Sequence, residues 1–262
     1  MKKKEEKVIN DLVYFDNIKI VQNKNYFNFS LESVLLPYFV ETTPNTKMIL
    51  DLCTGNAPIP LILSRKTNAK IIGVELQKEV YDLAKETIEI NKINNIEIIN
   101  KDAKDIINDY ETDTFDIITC NPPYFKYNNT SILNENDVKS VARHEISINL
   151  DDIIKISRKL LRNGGSLYLV HRTERLIEIL EKMKNNNIEP KRIRFIYPKK
   201  DKESNLVLIE GKKNGKTGLK LLSPLIVHNK DGNYTEEVLK MFGKWNKWFK
   251  KVMKKVFLEN YI

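Results

Sequence analysis

The chain has 262 residues, a hydrophobic fraction of 41% and a formal net charge of +9. That suits one α/β domain with additions, or one and a half domains, and no apolar run reaches the roughly 18 residues of a membrane span. The charged start MKKKEEKVIN lacks a secretory hydrophobic segment. Two cysteines, Cys53 and Cys120, without zinc spacing argue for a reduced, cytoplasmic protein with no metal, and the lack of a spanning run argues for no membrane partner.

The basic excess favours a polyanionic partner, nucleic acid first, although the abundance of Lys, Asn and Ile also fits a lysine-rich genome. Residues 1–20 read as a basic leader and then a short strand pair, with Leu12, Val13, Tyr14, Ile18 and Ile20 packing over the main domain. Residues 24–40 start aromatic and become helical. Ser30 is the expected N-cap, with Ser33 competing one turn later, and Leu31, Val34, Leu35 and Tyr38 give the apolar face. Tyr26, Phe27 and Phe29 belong either to the core or to a pocket.

Residues 47–53 predict a buried strand, followed by the turn Thr54-Gly55-Asn56-Ala57-Pro58-Ile59-Pro60 and a helix to about Lys66. Strands follow at 70–75, 96–100 and 115–120, with a helix at about 77–91 and a short one near 103–109. Strands alternating with helices predict a parallel sheet with right-handed crossovers. Residues 125–149 are a long polar stretch holding Arg143-His144-Glu145, and such loops are usually functional or mobile.

Residues 150–162 predict an amphipathic helix stopped by Asn163-Gly164-Gly165, then a strand at 166–171 and a helix at 173–186. Residues 191–198 and 204–211 read as an antiparallel strand pair, and 216–233 carries hairpin-like signals including Asp231-Gly232. From Thr235 to Phe257 the pattern is helical, with Val238, Phe242, Trp245, Phe249, Val252 and Val256 on one side and lysines on the rest. Such a helix packs its stripe and leaves a basic outer face; membrane-surface and RNA-facing roles are the alternatives.

The chemistry gathers at strand ends. The run Phe115-Asp116-Ile117-Ile118-Thr119-Cys120 stops at Asn121-Pro122-Pro123-Tyr124, because successive prolines offer no N–H to a ladder and hold the preceding residue extended. One amide and one ring therefore stand on a stiff loop where open α/β sheets bind ligands. Asp51 with Thr54-Gly55-Asn56 ends the first core strand, Glu75 the second and Asp102 the third. The turn lacks a full G-x-G-x-x-G, with Cys53 and Ala57 at glycine-like places. Glu75 is placed to accept from ribose hydroxyls and Asp102 from an adenine amino group.

The order Asp51-x-x-x-Gly55, Glu75, Asp102-Ala103, Asn121-Pro122-Pro123-Tyr124 resembles the class I S-adenosylmethionine-dependent methyltransferases over about residues 47–211. The resemblance implies an α/β fold with a Rossmann-like seven-stranded sheet, mostly parallel with the last strand antiparallel, and helices on both faces. It implies S-adenosyl-L-methionine as cofactor: Asp51 and the Thr54-Gly55-Asn56 turn facing the methionine part, Glu75 the ribose, Asp102 and the Ala103 amide the adenine. Asn121, Pro122 and Tyr124 are then catalytic, with Asn121 also at the cofactor. The Asn121 and Pro122 carbonyls accept the two protons of an exocyclic NH2 while Tyr124 stacks on the base.

The stretches F-S-L-E-S-V-L-L, A-R-H-E, R-I-R-F-I-Y-P and N-L-V-L-I-E are similar to the tRNA adenine-37 N6-methyltransferases, whose target is a valine tRNA. That implies tRNA as partner of a monomer, with Phe29, Tyr124, Arg143 and His144 facing it; for His144 a capping or loop-packing role stays open. Residues 1–46 would cover the substrate and cofactor, 47–211 form the catalytic domain, and 212–262 add a hairpin and basic helix. A protein-glutamine methyltransferase, another rRNA or DNA amino-methyltransferase, a nicotinamide-dependent oxidoreductase and a non-catalytic RNA-binding module are the alternatives.

Overall fold

In the core strands, Ile49, Ile71 and Ile117 point to one side of the sheet and Leu50, Ile72 and Ile118 to the other, and none is more than 4% exposed. A strand buried on both faces needs a helical layer on each side, as a parallel sheet provides. The structure, a computed structural model, describes residues 7–12, 18–23, 30–122 and 148–243. The elements in order are β1 (Lys7–Asp11), β2 (Lys19–Asn23), α1 (Leu31–Phe39), β3 (Met48–Leu52), α2 (Pro58–Ser64), β4 (Lys70–Glu75), α3 (Lys78–Asn91) and β5 (Ile96–Asn100). A 3-10 turn (Ala103–Asn108), β6 (Phe115–Cys120), α4 (Leu150–Leu160), β7 (Leu161–Arg172), α5 (Leu176–Asn185), β8 (Ile188–Lys199), β9 (Leu206–Lys213), β10 (Lys220–Leu221), β11 (Leu225–His228) and α6 (Glu236–Met241) follow.

The sheet runs β5-β4-β3-β6-β7-β9-β8, with β10 and β11 added along β8. Among the described strands of this sheet only β9 is antiparallel, inserted between β7 and β8. This is the expected seven-stranded, mostly parallel sheet whose last strand runs backwards. One layer is α1, α2, α6 and the β1–β2 pair, and the other is α4 and α5. Leu12, Ile18 and Ile20 of the N-terminal pair are buried in the first layer, as their pattern predicts. No helix among the described residues is long and apolar enough to cross a membrane.

Three local expectations are corrected. β10 and β11 do not form a hairpin with each other; both pair parallel with β8, starting at Lys220↔Arg192 and Leu225↔Ile196, covering polar backbone that an open edge would leave unpaired. A tight turn does occur around Asp231-Gly232, where the Asn229 N–H donates to the Asn233 carbonyl at 2.9 Å. The helix expected to end at 162 ends at Leu160, because Leu161 is already extended and pairs with Phe115. The last helix is described only as Glu236–Met241, and Gly243 takes a left-handed φ of +81° that ends it. The remainder of that expected helix lies outside the described residues.

α1 is anchored at its C-terminal end. Lys66 donates to the Pro37 and Val40 carbonyls, each at 2.7 Å, and burial lowers its pKa to about 8. Arg192 donates to the Phe39 carbonyl at 3.1 Å and lies over the Phe39 ring at 4.8 Å. The helix that faces the end of β6 is thereby fixed to the sheet.

Candidate active site

Four adjacent strands, β5, β4, β3 and β6, end side by side, with Glu75 opposite Asn100 and Leu52 opposite both Val74 and Cys120. Their carboxyl ends therefore bring Asp102, Glu75, the Asp51–Asn56 turn and Asn121 together in that spatial order. This is the edge at which open α/β sheets take ligands.

The turn after β3 alternates left-handed residues: Cys53 at φ +58°, Gly55 at +58° and Ala57 at +69°. Cys53 and Ala57 keep the conformation that glycine adopts freely, at roughly 1–2 kcal/mol each. Their surroundings hold them there. The Thr54 N–H donates to the Val74 carbonyl at 2.9 Å and the Ala57 N–H to the Thr54 carbonyl at 3.0 Å. Gly73 makes room from β4: a Cβ on it would lie 2.8 Å from Thr54 Oγ1.

Asp51 is fully buried beneath this turn. Its Oδ2 accepts from Thr54 Oγ1 at 2.7 Å and its Oδ1 from Thr119 Oγ1 at 2.6 Å. Burial pushes its pKa up to about 7, the two hydroxyls pull against that, and Glu75 adds to the rise. Asp51 thus shapes the turn from behind. Asn56 is also turned inward: its Nδ2 donates to the Val21 carbonyl at 3.0 Å. Since the Val21 N–H donates to Thr87 Oγ1 at 3.0 Å, the N-terminal strand pair is clamped between the turn and α3.

Glu75 accepts from the Gly55 N–H at 3.0 Å and the Gln77 N–H at 2.9 Å. Burial raises its pKa and those backbone donors pull it back. Asp102 Oδ1 accepts from the Lys104 N–H at 2.9 Å, capping the 3-10 turn, and its Oδ2 meets Lys104 Nζ at 3.3 Å. Ala103 beside it is buried. The Asn100 amide donates to the Glu75 and Leu76 carbonyls, each at 2.9 Å, and locks the two strand ends.

At the end of β6, Asn121 Nδ2 donates to Ser33 Oγ at 3.1 Å, and Pro122 is buried. Ser33 is not a cap; it is the third residue of α1 and only 6% exposed. Ser30 holds the N-cap position without a side-chain cap bond. Sequence reasoning missed Ser33 and Thr119 as site residues. Thr119 carried a signal, because a hydroxyl inside a strand buried on both faces needs a partner.

Cys53 and Cys120 are free thiols. Burial pushes the Cys120 thiol well up, and neighbouring Cys53 adds to it, so Cys120 is a packing residue. Tyr26, Phe27, Phe29, Pro123, Tyr124, Arg143 and His144 lie outside the described residues. Among the described residues no group of three His, Cys, Asp or Glu side chains is placed to hold a metal. A cavity of about 570 Å³ lined by Thr43, Lys47, Lys66 and Asn68 opens at the opposite, amino-terminal end of the strands, away from these groups.

The cradle fits a nucleoside-bearing cofactor. Among the described residues a Cβ on Gly55 would meet nothing within 4 Å, so the turn presents an open face to them, and the Glu75 carboxylate stands beside it. A model described as a methyltransferase domain matches residues 44–242. The tRNA1(Val) (adenine(37)-N6)-methyltransferase of Cytophaga hutchinsonii is 25% identical over 199 residues, covering 76% of this chain and 81% of that protein. The release factor glutamine methyltransferase of Aliivibrio fischeri is 38% identical over 136 residues, but covers only 49% of this chain and 47% of that protein. A solved structure from Agrobacterium tumefaciens, described as a predicted O-methyltransferase, shares the fold at a TM-score of 0.63 and 17% identity, covering 80% of this chain and 95% of that one.

Proposed function

Because this chain belongs to the methyltransferase-domain family matched over residues 44–242, we propose that it methylates the exocyclic N6 of an adenine in tRNA, position 37 beside the anticodon of a valine tRNA. The carrying observation is the juxtaposition at the β3, β4 and β6 ends: an open Gly55–Glu75 cradle next to an amide, Asn121, whose nitrogen is already held by Ser33. S-adenosyl-L-methionine is the cofactor, and it supplies a methyl group activated on a sulfonium sulfur. Glu75 and the open face of the Gly55 turn would hold its ribose and methionine parts, and Asp102 with Ala103 its adenine. Asp51, Thr54 and Asn56 act from behind by holding the turn.

On the acceptor side, an amino group has two protons to donate. Asn121 Oδ1 and the Pro122 carbonyl accept them, which places electron density on the nitrogen and turns its lone pair toward the methyl group. Transfer would form an N–C bond at the expense of the donor's S–C bond, and the nitrogen would give up one proton to water. No strong base is needed, so orientation by Asn121 supplies most of the protein's contribution. Tyr124 stacks on the base, and Phe29, Arg143 and His144 face the tRNA. An adenine in the anticodon loop is unstacked at lower cost than one in a duplex. The net charge of +9 matches a polyanionic acceptor, and residues 1–46 cover the site.

A second reading, transfer to a glutamine amide, is favoured by the 38% identity to the Aliivibrio protein. It presents the same NH2 to Asn121. Labelled donor offered to unmodified tRNA and to release factor decides between them: label in tRNA supports the adenine reading, and label only in release factor refutes it.

A further inference from the structure

Resting on the proposed transfer to an NH2 group, we infer that Ser33 is a positioning residue that holds the Asn121 side chain in place, with its amide oxygen toward the acceptor. A primary amide has two ends of nearly equal size and opposite chemistry, an oxygen that accepts and a nitrogen that donates. Transfer needs the oxygen toward the amine. The reverse orientation sets donor against donor.

The backbone of Asn121 is already fixed, by β6 before it and by Pro122 after it, which disfavours helical conformations. Only the side-chain torsions are left to choose. Ser33 Oγ accepts from Nδ2 at 3.1 Å across 88 residues of sequence, and this pins the nitrogen against α1 and turns Oδ1 the other way. The pin is stiff. Ser33 is 6% exposed and its N–H donates to the Ser30 carbonyl at 3.2 Å. At its far end α1 is held by Lys66 and Arg192. A hydroxyl on a surface loop would not keep an amide in place; a buried hydroxyl on a helix anchored to the sheet does.

The test compares wild type with Ser33→Ala and Ser33→Thr, all three expected to fold because alanine favours helix and threonine keeps the hydroxyl. The Asn121 side-chain NH2 signals, identified in 15N-edited NMR spectra as the pair lost in Asn121→Asp, are expected to shift in Ser33→Ala and to exchange with water at least tenfold faster. In single-turnover transfer Ser33→Ala is expected to lower the rate about tenfold, with donor affinity unchanged within twofold and most of the rate restored in Ser33→Thr. Unshifted NH2 signals, or a loss that appears only in donor affinity, would overturn the inference. Absence of transfer to tRNA by the wild type refutes the adenine reading alone; the NH2 signals and the same rate comparison on a release-factor glutamine then decide Ser33.

Discussion

The Gly55 N–H donates to the Glu75 carboxylate at 3.0 Å, so the turn after β3 is fastened to the last residue of β4. The same carboxylate takes the Gln77 N–H, and both bonds favour its ionised form against the rise that burial produces. Glu75→Ala therefore removes a charged acceptor and loosens the turn. Donor binding measured by calorimetry is expected to weaken about 10- to 100-fold, the range of one or two hydrogen bonds to a charged group. Unchanged donor affinity would contradict the assigned role.

Gly55→Ala separates folding from binding. The added methyl meets no atom of the described residues within 4 Å but is forced to φ +58°. The conformational cost alone is about 1–2 kcal/mol, read as a modest fall in the urea midpoint. The methyl would stand on the open face of the cradle, so donor affinity is expected to fall at least about tenfold. A variant that loses stability and binds donor normally would move the cofactor off this face.

Asp51 makes the pH dependence of stability specific. Its folded pKa is near 7, whereas an unfolded aspartate ionises near 3.9. Between these values the folded chain holds a proton that the unfolded chain has lost. The stabilising contribution is complete below about pH 4, falls as pH rises and is gone above about pH 7. Asp51→Asn removes this titration while other carboxylates cancel in the comparison. Urea unfolding is expected to show wild type losing stability relative to Asp51→Asn between pH 4 and 7.5, by an amount on the order of a few kcal/mol. A pH-independent difference would contradict a raised pKa.

The sheet was readable because its strands are short aliphatic runs closed by turn residues. Ile96–Asn100 and Phe115–Cys120 occupy the expected spans. Glu75, Asp102 and Asn121 were readable because a polar residue just after such a run must lie at a strand end. The internal tethers were not. A lone hydroxyl such as Thr119 or Ser33 has no local pattern that names its partner, since Asp51 and Asn121 lie 68 and 88 residues away. The resemblance places the turn holding Asn56 at the methionine part, but nothing local announces that the Asn56 side chain donates to Val21, on a separate strand pair. The parallel addition of β10 and β11 to β8 escaped for the same reason: Asp231-Gly232 announces a turn and not which strand it serves.

Gly73→Ala tests the packing under the turn. The new methyl would lie 2.8 Å from Thr54 Oγ1 and 2.9 Å from Ile98 Cδ1, and relief requires moving Thr54 off Asp51. Overpacking of this kind costs about 1–3 kcal/mol, and donor affinity is expected to fall with it. Thermal unfolding and calorimetry check both; a variant as stable as wild type would mean that the turn yields without effect.

The central claim is that Asn121 aims an adenine N6 at the methyl donor. Unmodified valine tRNA is incubated with the protein and isotopically labelled S-adenosyl-L-methionine, digested to nucleosides and read by mass spectrometry. The expected result is labelled N6-methyladenosine mapping to the base beside the anticodon, nearly abolished in Asn121→Ala while tRNA binding at fixed salt is retained. Label absent from tRNA and present in a release-factor glutamine, or N6-methyladenosine formed equally well by Asn121→Ala, would contradict it.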